Sequence, residues 1–107
     1  MRDSIPAVTV RLTQLLDDGN PPLVECLLID SSGKTHTIVE KLPVVSLLNE
    51  LSEKGGATGS IACEVLSNWQ DDQGRHLAKI NTQQPWHIES SEGVSEFTVL
   101  TSQMHTI

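Results

Sequence analysis

The four histidines are the first residues to consider as bases or metal ligands. None stands at an H-x-H or H-x-x-x-H spacing, and no cysteine is near enough in sequence to complete a zinc site. His36 and His76 follow predicted turns, where a solvated imidazole is the common case. We therefore predict no metal site and no cofactor.

Two pairs of adjacent carboxylates, Asp17-Asp18 and Asp71-Asp72, could serve in acid–base chemistry. Both pairs lie in turn-forming segments, where aspartate bonds its own backbone and stays hydrated. Catalysis instead requires a carboxyl group that is desolvated or coupled to another charge. The chain has no G-x-S-x-G nucleophile motif, and its Gly-rich stretch 55–59 lacks the Lys-Ser/Thr of a phosphate-binding loop. We therefore predict that the protein is not an enzyme.

Cys26 and Cys63 could form a disulfide or a redox pair, although no C-x-x-C spacing is present. Both lie in apolar segments, where cysteine usually behaves as a small hydrophobic residue. The first residues show no apolar stretch followed by a small-residue cleavage site, so we expect a cytoplasmic protein. In that compartment the two thiols are expected to be reduced core residues.

The charge balance limits the classes of partner. Acidic residues outnumber basic ones by 14 to 7, which gives a formal charge of −7. This charge repels nucleic-acid backbones, and two tryptophans with one phenylalanine offer few surfaces for base stacking. No apolar run approaches the roughly 20 residues of a membrane helix. We expect neither nucleic acid nor a membrane as partner, but another protein, with basic proteins favoured.

Trp86 is the leading candidate for contact with such a partner. It follows Pro85 in a polar segment and has no obvious apolar neighbour in the sequence. Tryptophan and arginine are frequent interface anchors because they combine large contact area with a polar group. Trp69 and Arg75, at the end of a predicted hairpin, could extend a patch that includes Glu89. The alternative is that both tryptophans are buried in the core.

Three turns of equal length organise the predicted sheet. Segments 30–33, 71–74 and 90–93 each begin with Asp or Ser and end with Gly, as type I turns followed by a bulge do. Equal loop lengths fix the strand register on both sides. The predicted opposite pairs are Leu28–His36 and Cys26–Ile38 in the first hairpin, and Trp69–Leu77 and Leu66–Ile80 in the central one.

The other predicted elements surround these hairpins. Residues 44–54 place apolar side chains at helical spacing between Pro43 and Gly55, which favours a helix, although a short strand is the alternative. The predicted strands are Ala7–Leu16, Leu23–Asp30, Lys34–Leu42, Ser60–Trp69, 75–80, Trp86–Glu89 and Val94–Thr101.

Together these patterns predict one domain over residues 1–107, with loose ends at 1–6 and 102–107. The fold class is mainly β: a small antiparallel curved sheet or barrel of about six strands, SH3-like or OB-like, with one short helix. The leading functional hypothesis is a small acidic, non-enzymatic module that binds another protein, such as an immunity-type or modulator protein. This hypothesis allows a homodimer. The alternatives are a small-ligand-binding or enzymatic β-barrel, with His36 or Arg75 in a cavity under the helix, and a structural homo-oligomer that assembles through exposed strand edges.

Overall fold

The computed structural model describes residues 5–45 and 57–106. Within these ranges the chain is mainly β, as the sequence predicts, and forms antiparallel sheets of five and three strands with one short helix. The strands are β1 (Pro6–Asp17), β2 (Leu23–Ile29), β3 (Thr35–Lys41), β4 (Ala57–Ala62), β5 (Glu64–Gln70), β6 (His76–Asn81), β7 (Glu96–Leu100) and β8 (Met104–Thr106). Helix α1 is Leu42–Val45, and a 3-10 turn covers Thr101–Gln103.

The five-stranded sheet has the order β3-β2-β1-β4, and β8 pairs with the first residues of β1. The register of the first hairpin is confirmed, since Leu28 lies opposite His36 and Cys26 lies opposite Ile38. Because side chains alternate along each strand, one face of this sheet forms most of the core and the other faces outward. The buried residues on the core face include Val8, Val10, Leu12, Val24, Cys26, Leu28 and Ile38.

The three-stranded sheet has the order β5-β6-β7. Trp69 lies opposite Leu77, as predicted, but Val65 rather than Leu66 lies opposite Ile80. The register shifts between Val65 and Ser67, so Leu66 is the extra residue of a β-bulge. The prediction for Leu66 was therefore wrong by one position.

A single strand over Ser60–Trp69 was also a wrong prediction, because the chain turns a corner at Cys63. The residues before the corner pair with β1 in the larger sheet, and those after it pair with β6 in the smaller one. The Cys63 N–H donates a 2.9 Å hydrogen bond to the Pro6 carbonyl, and Cys63 is buried at the junction. One long bent strand thus connects the two sheets.

On the opposite side, two hairpin turns bring the sheets together. The Ser31 N–H donates to the Thr98 carbonyl at 2.8 Å, and the Ser91 N–H donates to the Thr37 carbonyl at 2.8 Å. These are single bonds rather than a ladder between β3 and β7. The described strands therefore form two packed antiparallel sheets, and the closed SH3-like or OB-like barrel is not present among them.

Two further segments differ from the sequence predictions. Residues 86–89, expected to be a strand, are a turn and an irregular segment. The C-terminal segment, expected to be loose, contains the 3-10 turn and β8, which pairs with Pro6–Val8. Of the predicted helix over 44–54, Val44 and Val45 lie in α1, and the rest lies outside the described residues. No helix in residues 5–45 and 57–106 has the length and apolar character needed to cross a membrane.

Candidate functional site

The four residues predicted to bind a partner lie at the two ends of β6. Arg75 immediately precedes β6, and Trp69 pairs with Leu77 near the same end. Trp86 and Glu89 lie in the segment that follows the other end of the strand. A strand of six residues spans about 17 Å at roughly 3.3 Å per residue. The structure therefore presents two separate pairs rather than one compact patch.

At the first end, Arg75 is already engaged within the protein. Its Nε donates to Asp71 Oδ2 at 2.8 Å, and its Nη1 donates to the Ser31 carbonyl at 3.2 Å. The hydrogen bond from the Arg75 side chain is the main reason that the pKa of Asp71 is lowered. Arg75 thus links the central turn to the turn between β2 and β3, while Trp69 beside it remains 41% exposed.

At the second end, residues 82–89 form a loop whose backbone is held at both ends; we call it the Trp86 loop. Thr82 is fully buried, and its hydroxyl donates to the Ile88 carbonyl at 2.7 Å. Its N–H donates to the Ser95 carbonyl at 2.8 Å, and the Ile88 N–H donates back to the Thr82 carbonyl at 3.0 Å. Ile88 is buried in the core. These bonds close the loop and fix its position on the protein.

Trp86 lies at the outer part of this loop and is 43% exposed. The next residue, His87, has a φ of 55°, a left-handed conformation that non-glycine residues rarely adopt. The His87 N–H bonds the Gln83 carbonyl at 2.8 Å, which helps to hold this conformation. Gln83 also donates from Nε2 to Glu89 Oε2 at 3.1 Å, so the Glu89 carboxylate is oriented on the same loop. Burial of both tryptophans in the core was the alternative, and their exposures contradict it.

His36, a candidate for a ligand cavity, lies instead in a compact buried contact. Its Nε2 donates to Asp30 Oδ2 at 2.9 Å, and its ring packs edge-on against Phe97 with 4.8 Å between the ring centroids. His36 and Arg75 do not line either of the two grooves found among the described residues. Of the predicted helix over the cavity, only Val44 and Val45 are among the described residues, so a cavity under the helix stays a prediction.

One of the two grooves lies on the outer face of the five-stranded sheet, and the sequence did not point to it. Its volume is about 240 Å³, and the residues lining it include Thr9, Arg11, Leu27, Ile29, Thr58 and Gln103. Beside it, the His105 ring lies 2.7 Å from the Ser60 hydroxyl through Nε2 and 3.2 Å from the Thr9 hydroxyl through Nδ1. Alternation in β1 indicates that Thr9 and Arg11 share a face, but nothing local predicts that β8 lies beside them.

The second groove, of about 290 Å³, is almost entirely apolar and lies between β8 and the three-stranded sheet. The residues that line it include Pro6, Val65, Ala78 and Met104. No Asp, Glu, Lys or Arg is among its lining residues, and His105 also lines it. The polar residues Asn68, Thr101 and Thr106 also line it, but almost all of its exposed surface is apolar.

Within residues 5–45 and 57–106, no three His, Cys, Asp or Glu side chains gather in a way that could hold a metal ion. Both cysteines are free thiols in the core, and burial raises the pKa of Cys26 to about 12 and of Cys63 to about 11. Such thiols are poor nucleophiles at neutral pH. No protein family, curated protein or solved structure matches this chain.

Proposed function

We propose that this protein is a non-enzymatic interaction module that binds a basic protein, with the Trp86 loop as the central contact. The observation that carries the proposal is the combination of a 43% exposed tryptophan with a backbone that is pinned at both ends. An exposed tryptophan does not contribute its full burial to folding, so its apolar surface remains available to a partner. A fixed loop reduces the conformational entropy that is lost on binding. An interface anchor has both properties.

The charges around the loop favour a basic partner. The Glu89 carboxylate is oriented by Gln83, whereas that of Glu96, which lies opposite Asn81 directly before the loop, is paired with Lys79. A partner arginine or lysine could stack on the Trp86 indole and pair with the Glu89 carboxylate. The net charge of −7 would in addition accelerate the encounter with a basic surface.

The same features favour a different protein over a second copy of this chain. Two copies would each bring a charge of −7, and like charges at an interface oppose association. The edge strand β5, every residue of which is exposed, also carries the bulge at Leu66. Bulges in edge strands hinder edge-to-edge pairing, which is how a homo-oligomer of this sheet would form.

We further propose that the protein acts in the cytoplasm, and its free, buried thiols support this compartment.

The test compares two tryptophan variants of the tagged full chain. The partner is first captured from the source lysate at low salt and at raised salt, and its affinity for the purified protein is then measured. Trp86→Ala is expected to weaken binding by about 30-fold or more, as removal of an interface anchor does. Trp69→Ala is the matched control, because Trp69 is equally exposed but lies at the other end of β6.

Both variants should keep their free energy of unfolding within about 1 kcal/mol of the parent, since each removes an exposed side chain. Binding that weakens with salt and depends on Trp86 alone would support the proposal. If both variants weaken binding, the partner covers both ends of β6. An unchanged affinity of the folded Trp86→Ala protein would refute the proposed contact. Self-association that accounts for all binding would replace it with the homo-oligomer.

A further inference from the structure

The groove on the outer face of the five-stranded sheet combines one cation with an apolar floor. Arg11 of β1 lies opposite Leu27 of β2 on one side and Thr58 of β4 on the other, so these three side chains form one row across the sheet. Ile29 extends the apolar part and is 48% exposed. Gln103 closes one side, where its Nε2 donates to the Ile29 carbonyl at 2.8 Å.

The Arg11 guanidinium makes no ion pair within residues 5–45 and 57–106. The nearest acid along the neighbouring strand on this face is Glu25, two positions from Leu27. Its carboxylate accepts a 2.7 Å hydrogen bond from the Thr13 hydroxyl instead. By contrast, Arg75 and Lys79 are each paired with a carboxylate. A cation that lines a groove without such a pair is available to an anion from outside.

A chain of hydrogen bonds links Ser60, His105 and Thr9 beside the same groove. When Ser60 donates its proton to His105 Nε2, the ring proton lies on Nδ1 and is donated to Thr9 Oγ1. The Thr9 hydroxyl proton is then left free for an acceptor in the groove, which Thr9 lines. Hydrogen bonds in such a chain polarise one another, which strengthens the last donor.

We propose that this groove binds a small organic anion: a carboxylate attached to a short apolar body. Arg11 and the Thr9 hydroxyl would bind the carboxylate, and Leu27 with Ile29 would contact the apolar body. The groove volume of about 240 Å³ sets the size. A cavity of about 150 Å³ holds a benzene ring, so room remains here for one carboxylate group. His105 has a positioning role, since it acts on the ligand through Thr9.

Benzoate is the probe, because it has the proposed charge, shape and size. The full chain, labelled with ¹⁵N, would be titrated with benzoate while the backbone amide resonances are followed by NMR. We expect saturable shifts at Thr9, Thr58 and Gln103, with an affinity in the millimolar range because the groove is open. Benzyl alcohol, which keeps the ring and lacks the charge, and inorganic phosphate, which lacks the apolar body, should each bind more weakly by about tenfold.

Two variants test the named contacts. Arg11→Gln should weaken benzoate binding by about tenfold or more, because it removes the charge-assisted hydrogen bonds. Lys41→Gln is the matched control, since it removes the same charge from an exposed position at the end of β3. Thr9→Val removes the hydroxyl at nearly constant volume and should weaken binding by about three- to tenfold. Folding of each variant is checked by its dispersed amide spectrum.

Several results would contradict the proposed anion site. Equal binding of benzoate and benzyl alcohol, or equal loss in Arg11→Gln and Lys41→Gln, would exclude the proposed anion contact. Equal binding of benzoate and phosphate would exclude the role of Leu27 and Ile29. The absence of shifts at groove amides at millimolar benzoate would overturn the site as a whole. Trp86→Ala leaves this groove untouched, so the result is independent of the proposed protein partner.

Discussion

Asp30 is expected to be the carboxylate with the largest effect on the pH dependence of folding. Its Oδ1 accepts hydrogen bonds from the Ser32 N–H at 2.9 Å, the Ser32 hydroxyl at 2.7 Å and the Lys34 N–H at 3.0 Å. Its Oδ2 accepts from His36 Nε2 at 2.9 Å, and His36 in turn packs against Phe97. One carboxylate therefore fixes both the turn between β2 and β3 and a buried imidazole. We predict that Asp30→Asn destabilises the protein strongly at neutral pH.

The magnitude follows from the pKa of this group. Partial burial acts to raise the pKa of Asp30, but the hydrogen bonds from His36, Ser32 and Lys34 outweigh it and lower the pKa from 3.8 to about 2. A shift of this size corresponds to about 2 kcal/mol of stability for the ionised form. Because the folded-state pKa is the lower one, this stability is present above about pH 4 and is lost as the pH falls toward about 2.

Urea unfolding of the parent and of Asp30→Asn, measured at several pH values, tests this reasoning. The difference in free energy of unfolding should be about 2 kcal/mol near pH 7 and should shrink as the pH falls below about 4, where the parent carboxylate becomes protonated. Asp72→Asn is the control, because Asp72 is an exposed carboxylate in the central turn. A difference that stays constant down to about pH 2, or one that Asp72→Asn reproduces, would refute the assignment of this stability to the Asp30 charge.

Two other predictions concern the core. Burial raises the pKa of Cys26 to about 12 and of Cys63 to about 11. In the folded protein both thiols should therefore resist a disulfide reagent at mildly alkaline pH, and both should react fully after unfolding in urea. Rapid reaction of the folded protein would contradict this burial. A Cβ at Gly59 would overlap the Val45 carbonyl oxygen, so Gly59→Ala should lower the free energy of unfolding by about 1–3 kcal/mol. Gly19→Ala, which has room for a Cβ, should change it by less than about 0.5 kcal/mol, and equal effects of the two substitutions would disprove the overlap.

The register of the first hairpin, and that of the central hairpin between its turn and the bulge at Leu66, were predictable because turn chemistry is local. Asp30 and Asp71 each accept backbone N–H groups within four residues, and Gly33 and Gly74 adopt φ values of 87° and 82°. Four consecutive residues therefore set the turn, and the turn length sets which side chains face each other. The third turn, at 90–93, forms in the same way. The strand predicted before this turn, Trp86–Glu89, does not form, because these residues belong to the Trp86 loop.

The corner at Cys63 and the bulge at Leu66 have no comparable local signal. The segment from Ile61 to Trp69 alternates as one strand, with no glycine or proline between them to interrupt it. The Cys63 N–H still bonds the carbonyl of Pro6, a residue far away in the sequence, whereas from Glu64 onward the chain pairs with β6. The strand therefore changes sheets because of its partners. A sequence pattern that records only which side chains are apolar cannot contain this information.

The two candidate sites, the Trp86 loop and the Arg11 groove, differ for the same reason in how readily the sequence alone points to them. Trp86 stood out because a large aromatic residue in a polar segment is unusual, but the rigidity that makes it useful comes from the buried bonds of Thr82 with Ile88 and Ser95. Arg11, in an alternating strand, looks like any solvent-facing cation. It becomes a candidate ligand contact only because β8 places His105 beside Thr9, a hydrogen-bonded pair separated by 96 positions. Local composition can thus reveal an anchor that projects from the surface, whereas a groove formed by several strands requires knowledge of which strands are neighbours.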